Sequence, residues 1–278
     1  MRRSTTSVVT DPSWGSRSVN RRRLGALLGA ELICAVLLIS GPQLAPSGPA
    51  IASPVSESRP AQLPGTRSVS TPDGRTTQLV DLGATGGRAL IDRIAAELPG
   101  ATNAVTAFWG SDWRRDISIV VAGSAEQFGA LAGGGLDIAA TTTADRIMFS
   151  PGATAMNAAD LRTVLRHELF HYAARADTAP DAPVWLTEGV ADYVGRPPAA
   201  TAPAAPAALP TDAELTAPGP GRSAAYDRAW EFATYIAGTY GVDKLRALYV
   251  AACGHGHPDV DTAILAVLGV DVSKVLSR

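Results

Sequence analysis

Cysteine is nearly absent from this chain of 278 residues, which holds only Cys34 and Cys253. Cys34 lies inside an apolar N-terminal run, so removal of that run would leave one thiol and no intrachain disulfide. The chain is therefore not a small scaffold held together by disulfides. Its folded state must be stabilised by a hydrophobic core, by a bound metal, or by both.

Charged residues are also few, at 18% of the chain, whereas hydrophobic residues make up 46%. This balance excludes an intrinsically disordered chain, because the apolar residues are numerous enough to form a core. The net charge of −2 gives no global argument for a nucleic-acid partner. The length is that of one or two domains.

The N-terminus lacks an apolar run of full membrane-spanning length. The run from Leu24 to Ile39 follows Arg21–Arg23 and is shorter than the roughly 20 residues of a spanning helix. It suits a signal peptide, and Ala50–Ala52 provides a small-x-small cleavage site. Cleavage and retention as an anchor both stay open. We expect residues 1–52 to form a cytoplasmic tail plus a signal peptide or membrane anchor, with the remaining chain outside the cytoplasmic membrane, because the positive flank stays inside.

Proline-rich stretches indicate where the remaining chain divides into a linker and a folded domain. Residues 53–66 are rich in Pro and Ser and are predicted to be a linker. Residues 67–278 are predicted to form the folded domain, with a Pro/Ala-rich insertion at 197–222. The prolines of that insertion argue against a regular helix or a central strand.

Hydrophobic periodicity and turn residues predict strands first and helices afterwards. The predicted strands are Thr76–Val80, Ile117–Val121, and a candidate hairpin of Ile138–Thr143 with Arg146–Ser150. The predicted helices are Arg88–Trp109 with a break near Pro99, Ala125–Leu131, Ala158–Ala174, Val184–Val194, Ser223–Tyr240, Val242–Ala252 and Val260–Leu268. This order indicates an α+β fold, with a small mixed sheet N-terminal to a helical half.

Residues 167–171 read HELFH, which is an HExxH pattern. Residues four apart lie on one helix face, so His167 and His171 can bind one cation together. Glu168 is turned by about 100° from His167, which allows it to reach a metal-bound water without being a ligand. A core helix with two paired histidines is the competing interpretation, but chance gives the pattern only about 0.002 times in a chain of this composition.

A catalytic zinc needs three protein ligands and one open position, so a third ligand must come from downstream. The candidate is Glu188, separated from His171 by 16 residues, which is enough for a turn and a second, antiparallel helix. Asp192 lies on the same face of that helix and could accept the ring N–H of a zinc-bound histidine. The alternative is a solvated acidic face. However, two acids on an otherwise apolar helix are costly to bury unless a cation receives them.

The HExxH pattern followed by WLTEGVADY at 185–193 resembles the gluzincin metallopeptidases, which include thermolysin. The resemblance covers residues 164–194 and continues more loosely through 226–241. It implies a zincin-like domain that binds Zn²⁺. The residues it implies for the site are His167, His171 and Glu188 as ligands, Glu168 as general base, and Asp192 as the partner of a ligand histidine. The chain is much smaller than thermolysin and carries the Pro/Ala-rich insertion, so substrate specificity does not carry over.

Gluzincins commonly use a tyrosine or histidine to stabilise the oxyanion. Tyr226 is the candidate here, and Arg228 is a weaker one. The histidines outside the HExxH pattern are His255 and His257, which with Cys253 could suggest a second metal site. Their spacing is cramped and a fourth partner is missing, and the intervening glycines favour a turn.

The expected function is that of an exported zinc-dependent metallopeptidase, with Glu168 as the base that acts on a zinc-bound water. Its expected partner is a peptide or protein substrate, which the strand region Ile138–Ser150 could bind by β-augmentation. A membrane contact would come through the N-terminal anchor. Two alternatives stay open. One is a non-catalytic zinc-binding surface module, against which the intact Glu168 argues, and the other is a zinc amidase that acts on a non-peptide amide.

Overall fold

A computed structural model describes residues 65–133, 138–199, 204–217 and 220–276. The tail, apolar run and most of the linker predicted for residues 1–66 lie outside these ranges. Within them, no helix is both long enough and apolar enough to cross a membrane.

Five strands form one mixed sheet in the order β1-β2-β3-β5-β4. They are β1 (Thr66–Ser70), β2 (Thr76–Asp81), β3 (Asp116–Val121), β4 (Ala140–Thr142) and β5 (Ile147–Phe149). β1–β2 and β4–β5 are antiparallel pairs, whereas β2–β3 and β3–β5 are parallel. The predicted hairpin of β4 and β5 is therefore confirmed, and β4 is an edge strand of the sheet. β1 was not predicted, because its residues are mostly polar and only partly buried, and its pairing with β2 defines it.

Nine helices are seen in the described ranges. They are α1 (Gly87–Trp109), α2 (Ala125–Ala132), α3 (Ala158–Ala174), α4 (Val184–Gly195), α5 (Asp212–Thr216), α6 (Pro220–Tyr240), α7 (Val242–Cys253), α8 (Val260–Leu268) and α9 (Val272–Leu276). A 3₁₀ turn at Pro151–Ala155 precedes α3. The chain thus has an α+β fold, with a small mixed sheet followed by a mostly helical half, as the sequence predicts.

The break predicted in α1 near Pro99 is wrong, because α1 continues through the proline. An interior proline costs a helix about 3 kcal/mol. α1 buries Ile94, Leu98 and Val105 completely, and each fully buried aliphatic side chain contributes about 1.5–3 kcal/mol. Burial of the apolar face therefore outweighs the lost hydrogen bond and the steric clash of the ring.

The insertion at 197–222 is more structured than the sequence predicts. α5 lies inside it and begins with a capping box, in which the Thr211 hydroxyl accepts from the Glu214 N–H and the Glu214 carboxylate accepts from the Thr211 N–H. α6 begins at Pro220, earlier than predicted, since a proline is tolerated in the first turn of a helix. Local capping thus overrides the general effect of proline content.

α3 lies at the centre of the packing and contacts α1, α4, β4 and β5. Phe170, in the middle of the HELFH segment, packs edge-on against Phe108, Trp109 and Tyr249 at centroid distances of 5.3–5.7 Å. The Tyr172 hydroxyl donates to the Asp116 carbonyl at 2.8 Å, which ties α3 to β3. The apolar residues of the segment therefore hold α3 in the core.

Candidate metal site

The site is built on α3, where His167 and His171 stand one helical turn apart on one face. Asn157 begins this helix by accepting hydrogen bonds from two backbone N–H groups, those of Ala159 and Asp160. The two histidine Nε2 atoms lie 3.1 Å apart, so both ring nitrogens point to one location. The competing interpretation, a pair of core histidines, fits this contact equally well until the third residue is considered.

Glu188 of α4 provides that third residue. Its Oε2 lies 3.3 Å from His167 Nε2, and its Oε1 lies 3.5 Å from His171 Nε2. One ligand atom from each of the three side chains lies within 4.8 Å of the others. The three residues that the sequence picked out as ligands therefore do converge.

The environment of Glu188 favours a cation at this point. The side chain is only 1% exposed, and neither carboxylate oxygen has a hydrogen-bond donor among the described residues. A buried carboxylate without donors is costly, and a divalent cation between it and the two imidazoles would compensate for that cost. Two histidines and one glutamate are also a donor set that zinc accepts, with one position left open. The residues present thus fit a divalent metal ion.

Asp192, one turn after Glu188 on α4, determines which nitrogen of His167 faces the site. Its Oδ1 lies 2.9 Å from His167 Nδ1. Burial alone would raise the pKa of Asp192, but the charge of Arg196 and the hydrogen bonds from His167 and Arg196 outweigh it and hold this pKa below its usual value. An ionised carboxylate only accepts hydrogen bonds, so Nδ1 carries the proton and the Nε2 lone pair points toward Glu188.

Arg196 is a residue that the sequence analysis missed. Its guanidinium pairs with Asp192 Oδ2 at one end and with Asp227 Oδ1 of α6, at 2.7 Å, at the other. It therefore connects Asp192, the histidine partner on α4, to α6. The i, i+4 spacing from Asp192 was a sequence signal that could have indicated it.

Glu168 is buried between α3 and the edge strand β4. The Thr142 hydroxyl contacts both the Glu168 carboxylate, with Oε2 at 2.7 Å, and the Glu168 carbonyl oxygen at 3.0 Å. Glu168 is not one of the three residues of the cluster, and its role as a base stays a prediction. Thr142 was not identified from sequence, because nothing along the chain indicates which strand residue would face the helix.

The two oxyanion candidates lie in different surroundings. Tyr226 is buried in α6, and α6 packs against α4, which carries Glu188. Its role stays a prediction. Arg228 is instead part of an ion pair near the surface, with its Nη2 at 2.6 Å from Glu214 Oε1 of α5. The structure thus assigns Arg228 to the contact between α5 and α6.

No second metal site forms from Cys253, His255 and His257. Cys253 is buried at the end of α7, and its burial raises the pKa of the thiol. His255 Nε2 faces the Ala176 carbonyl at 3.2 Å, and His257 Nδ1 faces the Pro258 carbonyl at 2.7 Å. Within the part of the chain that the structure describes, the group on α3 and α4 is the one three-residue cluster able to hold a metal.

A cavity of about 110 Å³ adjoins the cluster. Its lining includes His171, Arg175, Thr178, Ala179, Glu188 and Tyr249. The Tyr249 hydroxyl lies 2.8 Å from the Thr178 hydroxyl, which closes one wall. Two of the three candidate ligand residues therefore line a small cavity.

Comparison of the chain with protein-family models and with curated proteins gave no match. The chemical interpretation of the cluster therefore depends on its own geometry. That geometry comprises two imidazole nitrogens, a buried carboxylate to which no described residue donates a hydrogen bond, and an aspartate within hydrogen-bond distance of one imidazole.

Proposed function

We propose that this protein is an exported zinc-dependent metallopeptidase with a gluzincin-type site on a zincin-like domain. The observation that carries the proposal is the buried Glu188 carboxylate, which has no hydrogen-bond donor among the described residues and faces the Nε2 atoms of His167 and His171. The combination of two histidines and one glutamate leaves a position open for chemistry, as catalytic zinc sites do. We propose that His167, His171 and Glu188 hold the zinc ion.

A zinc ion bound there would lower the pKa of its water toward about 7 and polarise a substrate carbonyl. Glu168 is proposed as the general base, which takes a proton from the attacking water and delivers it to the leaving amine. Its hydrogen bond from the Thr142 hydroxyl supports this role, because it holds the carboxylate in a fixed position beside the cluster. Asp192 keeps His167 in the tautomer whose Nε2 can bind metal.

The substrate is proposed to be an extended peptide that lies along β4. β4 is at the edge of the sheet and is hydrogen-bonded to β5 on one side, and the peptide is proposed to pair with its other side. The three residues of β4 are buried, so this pairing requires that side to become accessible. Thr142 is in this strand and touches Glu168, so a peptide paired with β4 would lie close to the proposed base. Tyr226 is proposed to stabilise the oxyanion.

The experiment that tests the proposal combines metal analysis with peptide hydrolysis, on the full chain purified with zinc. We expect about one zinc per chain and cleavage of members of a quenched fluorescent peptide pool. Glu168→Gln should keep the zinc and lose at least a hundredfold in turnover, since a general base contributes about 10²–10⁴. Glu126→Gln, an exposed glutamate on α2, is the matched control and should retain full turnover.

Other outcomes would separate the alternatives. Zinc without cleavage of any peptide would favour a non-catalytic module, and release of amine only from non-peptide amides would favour an amidase. A folded chain without zinc would leave only a core helix with paired histidines.

A further inference from the structure

Arg175 stands one helical turn beyond His171, at the end of α3. Its backbone is still helical, with φ −51° and ψ −42°, so it continues the face that carries the two histidines. Side chains on a helix lean toward its N-terminus, which directs Arg175 back toward His171. Arg175 accordingly lines the same cavity as His171 and Glu188.

Some arginines near the surface have acidic partners, whereas Arg175, like the exposed Arg88, has none among the described residues. Arg146 and Arg162 are paired with Asp145 and Glu97. No carboxylate of the described residues lies within ion-pair distance of Arg175, and it is exposed. An exposed arginine alone would be ordinary. What distinguishes this one is that it lines the same cavity as His171 and Glu188 of the metal cluster.

The charges around the cavity favour an anion. When a divalent cation is bound, the single negative charge of Glu188 leaves the ligand set positive, and Arg175 adds a further positive charge. The acids of the loop after α3, Asp177 and Asp181, are exposed and are not part of the cavity lining. A substrate group that enters this space would therefore be attracted if it carried negative charge.

The size of the cavity limits that group. Sites for drug-sized ligands typically have about 300–1,000 Å³, whereas this cavity has about 110 Å³ and small residues such as Ala179, Pro180 and Ala182 in its walls. It can hold one short side chain or a chain terminus. The fork of a guanidinium matches a carboxylate in a two-point contact, which a rigid small pocket would position well.

We propose that Arg175 determines substrate specificity by binding a carboxylate of the peptide beside the scissile bond. This inference rests on the proposed peptidase function. The carboxylate could come from a short acidic side chain or from the free C-terminus of the substrate. Both sources provide the same chemical group. Binding of an acidic side chain would make the enzyme an endopeptidase selective for acidic residues, whereas binding of the free C-terminus would make it a carboxypeptidase.

The test uses the zinc-loaded full chain and two pairs of peptides. One pair differs by Asp against Asn next to the cleavage site, with the C-terminus amidated, and the other by a free against an amidated C-terminus. We expect wild-type kcat/KM to favour the acid member of one pair by about tenfold or more, as charge-assisted hydrogen bonds allow. Arg175→Gln should reduce that ratio to about one, and Arg175→Lys should retain part of it.

The controls separate failure of this inference from failure of the proposed function. Arg88→Gln, an exposed arginine on α1, should keep the wild-type ratio. Two outcomes would overturn the role of Arg175 while leaving the proposed peptidase function intact. One is equal kcat/KM for the acid and amide members of both pairs, and the other is a preference for the acid member that persists in Arg175→Gln. Absence of any cleavage would remove both proposals together. Binding of the acidic cleavage product provides a readout other than turnover. The Glu168→Gln variant should bind this product at least tenfold more tightly than the double variant Glu168→Gln/Arg175→Gln.

Discussion

At the scale of single residues, the chemistry of the site depends on which hydrogen-bond donors surround each polar group. Glu188 and Asp192 are both buried acids on α4, but their surroundings differ. Asp192 receives hydrogen bonds from His167 and Arg196, whereas both oxygens of Glu188 lack hydrogen-bond donors in the described ranges. Because a buried carboxylate needs a positive partner, this difference supports the proposal that Glu188 is a ligand residue and that Asp192 orients a ligand histidine.

The role of Asp192 gives a prediction at this scale. Asp192→Asn should weaken zinc binding by about 10–100-fold, because the amide no longer enforces the His167 tautomer and leaves Arg196 without one of its two carboxylates. The measurement is zinc affinity by competition with a chelating dye. Asp261→Asn, at an exposed position on α8, is the control. Affinities within threefold of wild type would show that Asp192 does not orient His167.

At the scale of elements, the site requires α3, α4 and α6 to approach closely, and glycine makes this possible. A Cβ added at Gly189 would lie 2.5 Å from the Ala229 carbonyl oxygen of α6, and one at Gly195 would lie 2.8 Å from the Thr163 carbonyl oxygen of α3. Both are backbone atoms that cannot rotate away. Gly189, which follows Glu188 in the sequence motif, therefore allows α4 to pack closely against α6.

Gly189→Ala is therefore predicted to destabilise the fold. We expect the free energy of unfolding in urea to fall by about 1–3 kcal/mol, since α4 must move away from α6. Gly100→Ala on α1 is the matched control, because an added Cβ there meets no atom within 4 Å. It should instead raise stability by about 0.5–1 kcal/mol. Equal effects of the two substitutions would contradict the close approach of α4 and α6.

At the scale of the whole molecule, the metal cluster joins parts of the fold that are distant in sequence. α3 and α4 supply the ligand residues, β4 holds Glu168 through Thr142, and Arg196 connects α4 to α6. A metal bound to both α3 and α4 would stabilise the folded chain, because the unfolded chain cannot form this cluster. We therefore expect metal content and global stability to be coupled.

This coupling predicts opposite effects of Glu188→Gln with and without metal. With free zinc at a hundred times the dissociation constant, wild type should gain about 2.7 kcal/mol over its metal-free form. The variant should gain much less. With chelator, the variant should be more stable than wild type, because it no longer buries an uncompensated carboxylate. The free energy of unfolding in urea is measured for both proteins, with zinc and with chelator. If wild type were more stable than the variant in chelator as well, the charge argument would be contradicted.

The sequence by itself indicated the three residues of the metal cluster and most elements of the fold. The HExxH spacing fixes His167 and His171 on one helix face whatever surrounds the helix, because helix geometry is local. The bounds of α3 and α8 were predicted correctly from periodicity and capping residues. The mixed α+β order followed from strands preceding helices. These are features that depend on residues a few positions apart.

Only the tertiary structure decided which distant residues meet. Tertiary packing keeps α1 helical through Pro99, and pairing with β2 defines β1. Packing also brings Thr142 into contact with Glu168, and it positions Arg196 between two aspartates. It also placed Arg175 in the cavity beside the cluster. No local pattern contains these contacts, because they arise when elements far apart in sequence are packed together by burial of their apolar faces.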